Sequence, residues 1–320
     1  MNIAMKAAPL SEQLQDRYSM FRDLEQKPII ELYLDGIDIY DKSSKEEAIR
    51  TCCALPCCYI AHVPNIDIEG RLFDFANDDW KIWIDWTAEF VKSVNSDILV
   101  IHYFCGHEKR WDKEEARSIC HERIEKIAKL YPDLNFLIEN YGLVFWPDRS
   151  GNLYYPVSPL DLFLPWDMID FQRDMANRGV DNVRLVLDTA HAAISCNMFN
   201  ALRRDRSLRS DKRFRYLDHN DMSHANYLNI MDYVENINYD AVHISDAFIL
   251  ARKPFSRLWL KEAITTEGLA LGDGHLPNRD IARRLLFNNE NVMFVTEMSE
   301  KDNSQSMNQR EAVNFLLALE

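Results

Sequence analysis

Four apolar segments of this chain end in a side chain of a type that commonly binds metal ions. They contain Glu139 in NFLIEN, Asp188 in RLVLDTAH, His243 in DAVHISD and Glu297 in VMFVTEMS. Short apolar runs of this kind are typical of parallel strands that are buried on both faces. In an eight-stranded α/β barrel the C-terminal ends of such strands meet at one face, where the active site lies. The pattern therefore predicts that these four side chains converge on one site.

Strands and helices alternate along the whole chain. The predicted strands are Asn2–Ala7, Ile29–Leu34, Cys57–Val63, Ile98–Tyr103, Asn135–Glu139, Arg184–Asp188, Ala241–Ser245 and Val292–Glu297. A (β/α)8 barrel needs about 250 residues and accepts insertions, and no linker rich in Pro, Gly or Ser divides this chain. We expect an α/β fold made of a single (β/α)8 TIM barrel domain over residues 1–320.

Three long connections follow the predicted strands 5, 6 and 7. They run from Tyr141 to Pro159, from Ala190 to about Met222, and from Asp246 to about Pro277. Because connections that follow barrel strands rise on the face of the active site, we expect them to be long loops that form a lid or a pocket wall.

The composition constrains the partners of the protein. A net charge of −14 and a pI near 5.1 argue against a dedicated nucleic-acid binder. Residues 203–215 are nevertheless rich in arginine. This stretch is either a solvated loop or a set of phosphate contacts. Because the whole chain is acidic, we expect a small molecule as the partner, and nucleic acid is the alternative. The first residues resemble no signal peptide, and no apolar run is long enough to span a bilayer. We expect a cytoplasmic protein, with self-association left open.

The seven cysteines are an odd number, which makes a disulfide framework improbable in such a chain. Cys52, Cys53, Cys57 and Cys58 lie close together, but structural zinc sites usually separate two cysteine pairs by a longer spacer. We expect these four thiols to be buried in apolar surroundings.

Further polar residues are candidates for the site. His62 and His102 end the predicted strands 3 and 4, and each is either a metal ligand, a partner of one, or a pocket wall. His191 follows Asp188 by three residues and is placed to contact a second metal ion or a substrate oxygen.

Three residues of the long connections are candidates for substrate binding. His275 lies in a glycine-rich turn, GDGHLP, whose backbone amides suit an anion. The aromatic ring of Trp146 is of a type that stacks on sugar-like faces, and Arg252 is of a type that binds a carboxylate or phosphate.

Five short motifs occur in the order seen in a known superfamily. They are ENYG, DTAHA, VHISDA, GDGHLP and TEMSE, and they cover roughly residues 57–320. The chain thereby resembles the xylose-isomerase-like TIM barrels, which include sugar isomerases and epimerases, inosose dehydratases and apurinic-site endonucleases. Several chemistries share this scaffold.

The resemblance to the single-metal epimerases implies a divalent ion, Mn, Mg, Co, Zn or Fe, held by Glu139, Asp188, His243 and Glu297. It also implies that Glu139 and Glu297 move the substrate proton while His191 holds a substrate oxygen. A metal-bound carbonyl acidifies the neighbouring C–H bond, which favours this chemistry.

The endonuclease branch is similar in a further respect, since His62 and His102 match the histidines of an additional metal site. Where that branch has Asp-x-His, this chain has Thr266 and Gly268, which argues against three ions. Our leading hypothesis is therefore a metal-dependent isomerase, epimerase or dehydratase acting on a small polyhydroxylated carbonyl compound. The alternatives are a two-metal phosphodiesterase or endonuclease and an iron-dependent oxidase.

Overall fold

Eight parallel strands close into one barrel in the computed structural model of the chain. The structure describes residues 1–104, 113–141, 146–147, 153–154, 163–210, 214, 217–252 and 255–319. The barrel strands are β1 (Asn2–Ala7), β2 (Ile29–Tyr33), β3 (Cys58–His62), β4 (Ile98–His102), β5 (Asn135–Glu139), β6 (Val183–Asp188), β7 (Ala241–Ile244) and β8 (Met293–Thr296). Pairing of β1 with β8 closes the ring, with Asn2 opposite Met293. The predicted (β/α)8 barrel is confirmed.

Helices surround this barrel. They are α1 (Ser11–Asp23), α2 (Lys42–Cys53), α3 (Trp80–Ser93), α4 (Lys113–Leu130), α5 (Pro165–Asn177), α6 (Thr189–Arg204), α7 (His219–His224), α8 (Ile230–Val234), α9 (Arg257–Thr265), α10 (Asn278–Asn288) and α11 (Met307–Leu317). Short 3₁₀ helices span Arg206–Ser210 and Leu250–Arg252, and a two-stranded hairpin pairs Trp146–Pro147 with Leu153–Tyr154. Within the described residues, none of these helices is both long and apolar enough to cross a membrane.

The side chains inside the barrel form two layers, because every second residue of a strand points to the same face. The lower layer is apolar, and seven of the eight strands supply its buried members: Ala4, Ile60, Val100, Leu137, Val186, Ala241, Met293 and Val295. Ile29 of β2 packs against the same layer. Because side chains two positions apart share a face of a strand, the residue two places further on also points inward, at the C-terminal end of the barrel.

The connection after β6 differs from the prediction. We expected a long loop from Ala190, but α6 begins at Thr189, directly after the strand. The carboxylate of Asp188 accepts a hydrogen bond from the amide of His191, 2.6 Å away, and thereby caps the helix. Small and apolar residues then continue the helical pattern to Arg204, and a 3₁₀ helix follows at Arg206–Ser210.

The glycine-rich turn 272–276 binds an anion that belongs to the chain itself. The carboxylate of Asp246 accepts hydrogen bonds from the amides of Gly272 and Leu276, both at 2.9 Å. A Cβ atom on Gly274 would lie 2.3 Å from Oδ1 of Asp246, so no larger residue fits there. The turn therefore orders the connection after β7.

The cysteine cluster is only partly buried. Cys52 is buried, Cys57 is half-buried, and Cys53 and Cys58 are exposed, so the expectation of four buried thiols is wrong for two of them. Cys53 is the last residue of α2 and Cys58 is the first residue of β3. Among the described residues, no cysteine belongs to a group with the spacing of metal ligands.

Candidate metal centre

A ring of eight ionisable side chains forms the upper layer of the barrel interior, one from each strand or its end. Each lies two residues beyond a residue of the apolar layer, as the strand period requires. The members are Lys6, Glu31, His62, His102, Glu139, Asp188, His243 and Glu297. Strand register sets some of them directly opposite each other, including His102 and Glu139, Asp188 and His243, and Lys6 and Glu31.

Glu139 lies at the centre of this ring and is 1% exposed. Its Oε2 is 3.2 Å from Nε2 of His62 and 3.3 Å from Nδ1 of His243. Its Oε1 is 3.1 Å from Nε2 of His102 and 3.3 Å from Nδ1 of His191. Both oxygens are thus approached by imidazole nitrogens from two sides.

Two groups of possible ligands share Glu139. One comprises His62, His102 and Glu139, and the other comprises Glu139, Asp188, His243 and Glu297. In each group the ligand atoms lie within 4.8 Å of one another. The predicted set of four is therefore brought together, and the two strand-end histidines join it through the shared carboxylate.

Second partners fix which imidazole nitrogen faces inward. Nε2 of His243 is 3.0 Å from a carboxylate oxygen of Glu31, which is fully buried. Nδ1 of His62 lies 2.7 Å from the carbonyl oxygen of Val63. When these outer nitrogens carry the proton, the lone pairs of Nδ1 of His243 and Nε2 of His62 point into the site. Such outer contacts are characteristic of histidine metal ligands.

Several inward atoms have no hydrogen bond although other polar atoms are near. Nδ1 of His243 lies 2.7 Å from Oε2 of Glu297, yet in the described part of the chain neither atom has a hydrogen-bond partner. Oε1 of Glu139 and Oε1 of Glu31 are likewise buried and unpaired. Buried polar atoms without partners cost free energy. Their convergence without mutual hydrogen bonds fits a site made for cations.

Mutual electrostatics shift the pKa values of the ring. Burial raises the pKa of Asp188 to about 7. Burial alone would lower the pKa of His243, but Glu31, Glu139 and Glu297 raise it well above its usual range. Burial would raise the pKa of Glu297, but Lys6 and His243 lower it. Protons on imidazoles and on Asp188 thus compensate the buried carboxylates when no metal ion does.

Three residues contribute to the site although they were not predicted from the sequence: Lys6, Glu31 and Asn140. The side chain of Asn140 accepts from the amide of Asp188 at 2.6 Å and donates to its carbonyl oxygen at 3.1 Å. Lys6 donates to Glu297 through its ammonium group. A charged residue inside an apolar strand, as in NIAMKA and IIELY, is the sequence signal that would have identified Lys6 and Glu31.

The remaining candidates lie in different places. His191 lines the cavity above the ring, with Nε2 3.3 Å from Oε2 of Glu267. Nδ1 of His275 accepts from the amide of Ile249 at 3.1 Å, and its ring packs beside Phe248 and Trp259. Neither His275 nor the exposed Arg252 is among the described residues that line this cavity. The side chain of Trp146 lies outside the described residues.

The described arginines of the stretch 203–215 lie away from the ring. Arg203 lies near the end of α6, a helix of 16 residues that begins beside Asp188 and is therefore about 24 Å long. Arg203, Arg206 and Arg209 line a separate surface cavity, while Lys212, Arg213 and Arg215 lie outside the described residues. The described arginines are thus not positioned to contact a ligand in the ring.

Comparisons with known proteins identify the fold. No protein-family model and no curated protein sequence matches the chain. A xylose isomerase domain protein from Alicyclobacillus acidocaldarius is 14% identical, with a TM-score of 0.54, over 100% of this chain and 99% of that chain. A xylose isomerase-like TIM barrel protein from Mycobacterium smegmatis, in complex with magnesium, is 12% identical, with a TM-score of 0.56, over 99% of this chain and 96% of that chain.

A third solved structure belongs to another branch of the same fold. AP endonuclease, family 2, from Brucella melitensis is 12% identical, with a TM-score of 0.55, over 96% of this chain and 97% of that chain. The chain therefore has the fold of the xylose isomerase-like TIM barrels, and its buried ring can hold a metal ion. At 12–14% identity these likenesses show the fold alone.

Metal content tests the shared-ligand geometry. We expect elemental analysis of the purified protein to find about two divalent ions per chain, because the two ligand groups share Glu139. His62→Ala should lower the content by about one ion. His121→Ala is a matched control, because His121 is also buried but contacts Asp174 at 2.5 Å, outside the ring. One ion in both the wild type and His62→Ala would exclude the second site.

Metal binding should weaken as the pH falls below about 7. The raised pKa of Asp188, about 7, means that the metal-free carboxyl holds a proton below this pH, and the raised pKa of His243 has the same effect on its imidazole. A cation must displace these protons. Calorimetric titration of Mn²⁺ in buffers of different ionisation enthalpy should show more protons released at pH 6 than at pH 8. Equal release at both values would contradict the assignment.

Proposed function

We propose that this protein hydrolyses a small phosphoester at a centre of two divalent metal ions. The observation that carries the proposal is the sharing of Glu139 between two ligand groups. Both of its oxygens are approached by imidazoles, which suits a carboxylate shared by two ions. A carboxylate shared in this way would have no free oxygen to accept a proton from a substrate. Paired ions of this kind are widespread in phosphoester hydrolases.

The donor set determines which residues would hold each ion. His62 and His102 would hold one, Asp188, His243 and Glu297 the other, and Glu139 both. Bound ions would polarise the phosphate and activate a water molecule. The ammonium group of Lys6, which contacts Glu297, adds a fixed positive charge beside the substrate.

His191 is placed to give a proton to the leaving oxygen. Its Nδ1 lies 2.9 Å from the carbonyl oxygen of Asn140, and its Nε2 lines the cavity 3.3 Å from Glu267. Burial alone would lower its pKa, but Asp188, Glu139 and Glu267 raise it well above the ordinary value. Glu267 belongs to neither ligand group, so its contact with Nε2 would still favour the protonated imidazole that a general acid requires when metal ions occupy the ring.

A small phosphoester is a better substrate for this site than nucleic acid. The cavity above the ring has a volume of about 280 Å³, which suits a small molecule, and the described arginines of residues 203–209 lie at the far end of α6. The overall charge of −14 also opposes binding to a polyanion.

The His191→Ala variant tests the proposed general acid. With an alkyl phosphate as the substrate, kcat should fall by about 10²–10⁴-fold, the usual contribution of such a group. With p-nitrophenyl phosphate the loss should be small, because nitrophenolate leaves without a proton. An equal loss of kcat on both substrates would show that His191 is not the general acid. Activity of the wild type on neither substrate, with two ions bound, would contradict hydrolysis itself.

The second candidate is the isomerase or epimerase reaction on a small polyhydroxylated carbonyl compound. It is favoured by Glu297, whose side chain is 28% exposed and lines the cavity, where it could reach a substrate carbon. Incubation of the loaded protein with ketoses in D₂O, followed by NMR, tests it. Deuterium incorporation that is lost in Glu297→Gln would support this reaction, and absence of exchange across ketoses and inososes would exclude it.

A further inference from the structure

One wall of the cavity above the ring contains a buried arginine. Arg17 of α1 is 2% exposed and lines the cavity. Its Nη1 donates to the carbonyl oxygen of Asn303 at 2.9 Å and lies 3.3 Å from Oδ2 of Asp16, and its Nε donates to the carbonyl oxygen of Lys6 at 3.4 Å. Nη2 has no hydrogen-bond partner among the residues that the structure describes. The Nη2 amino group of Arg17 is therefore available to donate hydrogen bonds to a ligand.

Asp16 does not fully balance this charge. Its Oδ1 accepts from Arg310 at 3.2 Å, and its Oδ2 also accepts from the amide of Ser306 at 3.0 Å. Asp16 is thus shared by two guanidinium groups, and Glu300, the other carboxylate that acts on Arg17, accepts hydrogen bonds from the amides of Asn308 and Gln309. Burial of an arginine is costly unless its charge and its N–H groups are matched, and here an anion from outside the protein would complete the match.

Neighbouring groups of the same wall also present donors. Gln13 is 4% exposed and lines the cavity. Its Oε1 accepts from the amide of Ala8 at 2.9 Å, so its Nε2 is the end without a partner in the described part of the chain. The nearby acid, Asp35, is already engaged, since Oδ1 accepts from the amide of Asn65 at 2.6 Å. Gln13 and Arg17 therefore both face the cavity with N–H donors, and among the described residues the hydrogen bonds of Asp35 are with Asn65 and not with either of them.

Lys6 contacts both Arg17 in this wall and Glu297 in the ring. Lys6 accepts from Arg17 at its carbonyl oxygen and reaches Glu297 with its ammonium group. An extended lysine side chain spans roughly 6 Å between Cα and Nζ. A molecule with two anionic groups separated by two or three carbon atoms matches this spacing.

We propose that Arg17, assisted by Gln13, binds a second anionic group of the substrate, a carboxylate at the end opposite to the phosphoester. The substrate class is then a phosphorylated small carboxylic acid. This inference rests on the proposed phosphoester hydrolysis for the identity of the first group, but the recognition by Arg17 is measurable without turnover. Arginine is well suited to the task because its planar fork matches a carboxylate.

The test compares 3-phosphoglycerate with glycerol 3-phosphate, which differ only in a carboxylate against a hydroxymethyl group. Calorimetry on the metal-loaded protein should show tighter binding of 3-phosphoglycerate by about tenfold or more, as expected for a charge-assisted hydrogen bond. In Arg17→Met this preference should disappear, with the loss in KM rather than in kcat. Arg17→Lys keeps the charge without the fork and should retain part of the preference.

Arg310→Met is the matched control, because Arg310 contacts the same Asp16 but is not among the described residues that line the cavity. It should leave the preference unchanged. Absence of a preference in the wild type, or equal losses for both ligands in Arg17→Met, would overturn the inference. An Arg17-dependent preference without hydrolysis of either compound would support the carboxylate site while contradicting the phosphoesterase proposal.

Discussion

The excess of negative charge at the C-terminal end of the barrel must be compensated for this structure to be stable. Four carboxylates and one ammonium group lie in one ring with three imidazoles, which gives a net charge of −3 when the imidazoles are neutral (one positive and four negative charges). Most of these groups are buried. Such a cluster is unfavourable unless protons or cations compensate it, and one divalent ion leaves it at −1 while two bring it to +1. Compensation, by either means, is therefore built into the folded state.

The barrel holds these groups in place with backbone geometry. Parallel pairing sets His102 beside Glu139 and Asp188 beside His243, so the spacing of ligands follows from the distance between strands. Asn140 then joins β5 to β6 through both hydrogen bonds with Asp188. Residues on strands hold their positions more precisely than residues on loops, which is what a shared ligand such as Glu139 requires.

Much of the fold and of the ring could be predicted from the sequence, because apolar runs locate strands and their ends locate ligands. Lys6 and Glu31 were missed because we looked for residues at the ends of strands, whereas in β1 and β2 the inward position falls before the last residue. The helix α6 was not predicted, although Asp188 is of a residue type that favours the N-cap position. Arg17 could not be predicted, because its partners Lys6 and Asn303 come from opposite ends of the sequence.

The closure of β1 on β8 has a consequence for how the protein matures. Lys6 and Glu297 are separated by 291 positions and meet only when the two ends of the chain pair. Contacts so distant in sequence form late in folding. During synthesis, Glu139 and Asp188 leave the ribosome well before Glu297, so an incomplete chain presents a partial and more open set of ligands. The complete set of candidate ligands therefore assembles only after Glu297 has been synthesised and β8 has paired with β1.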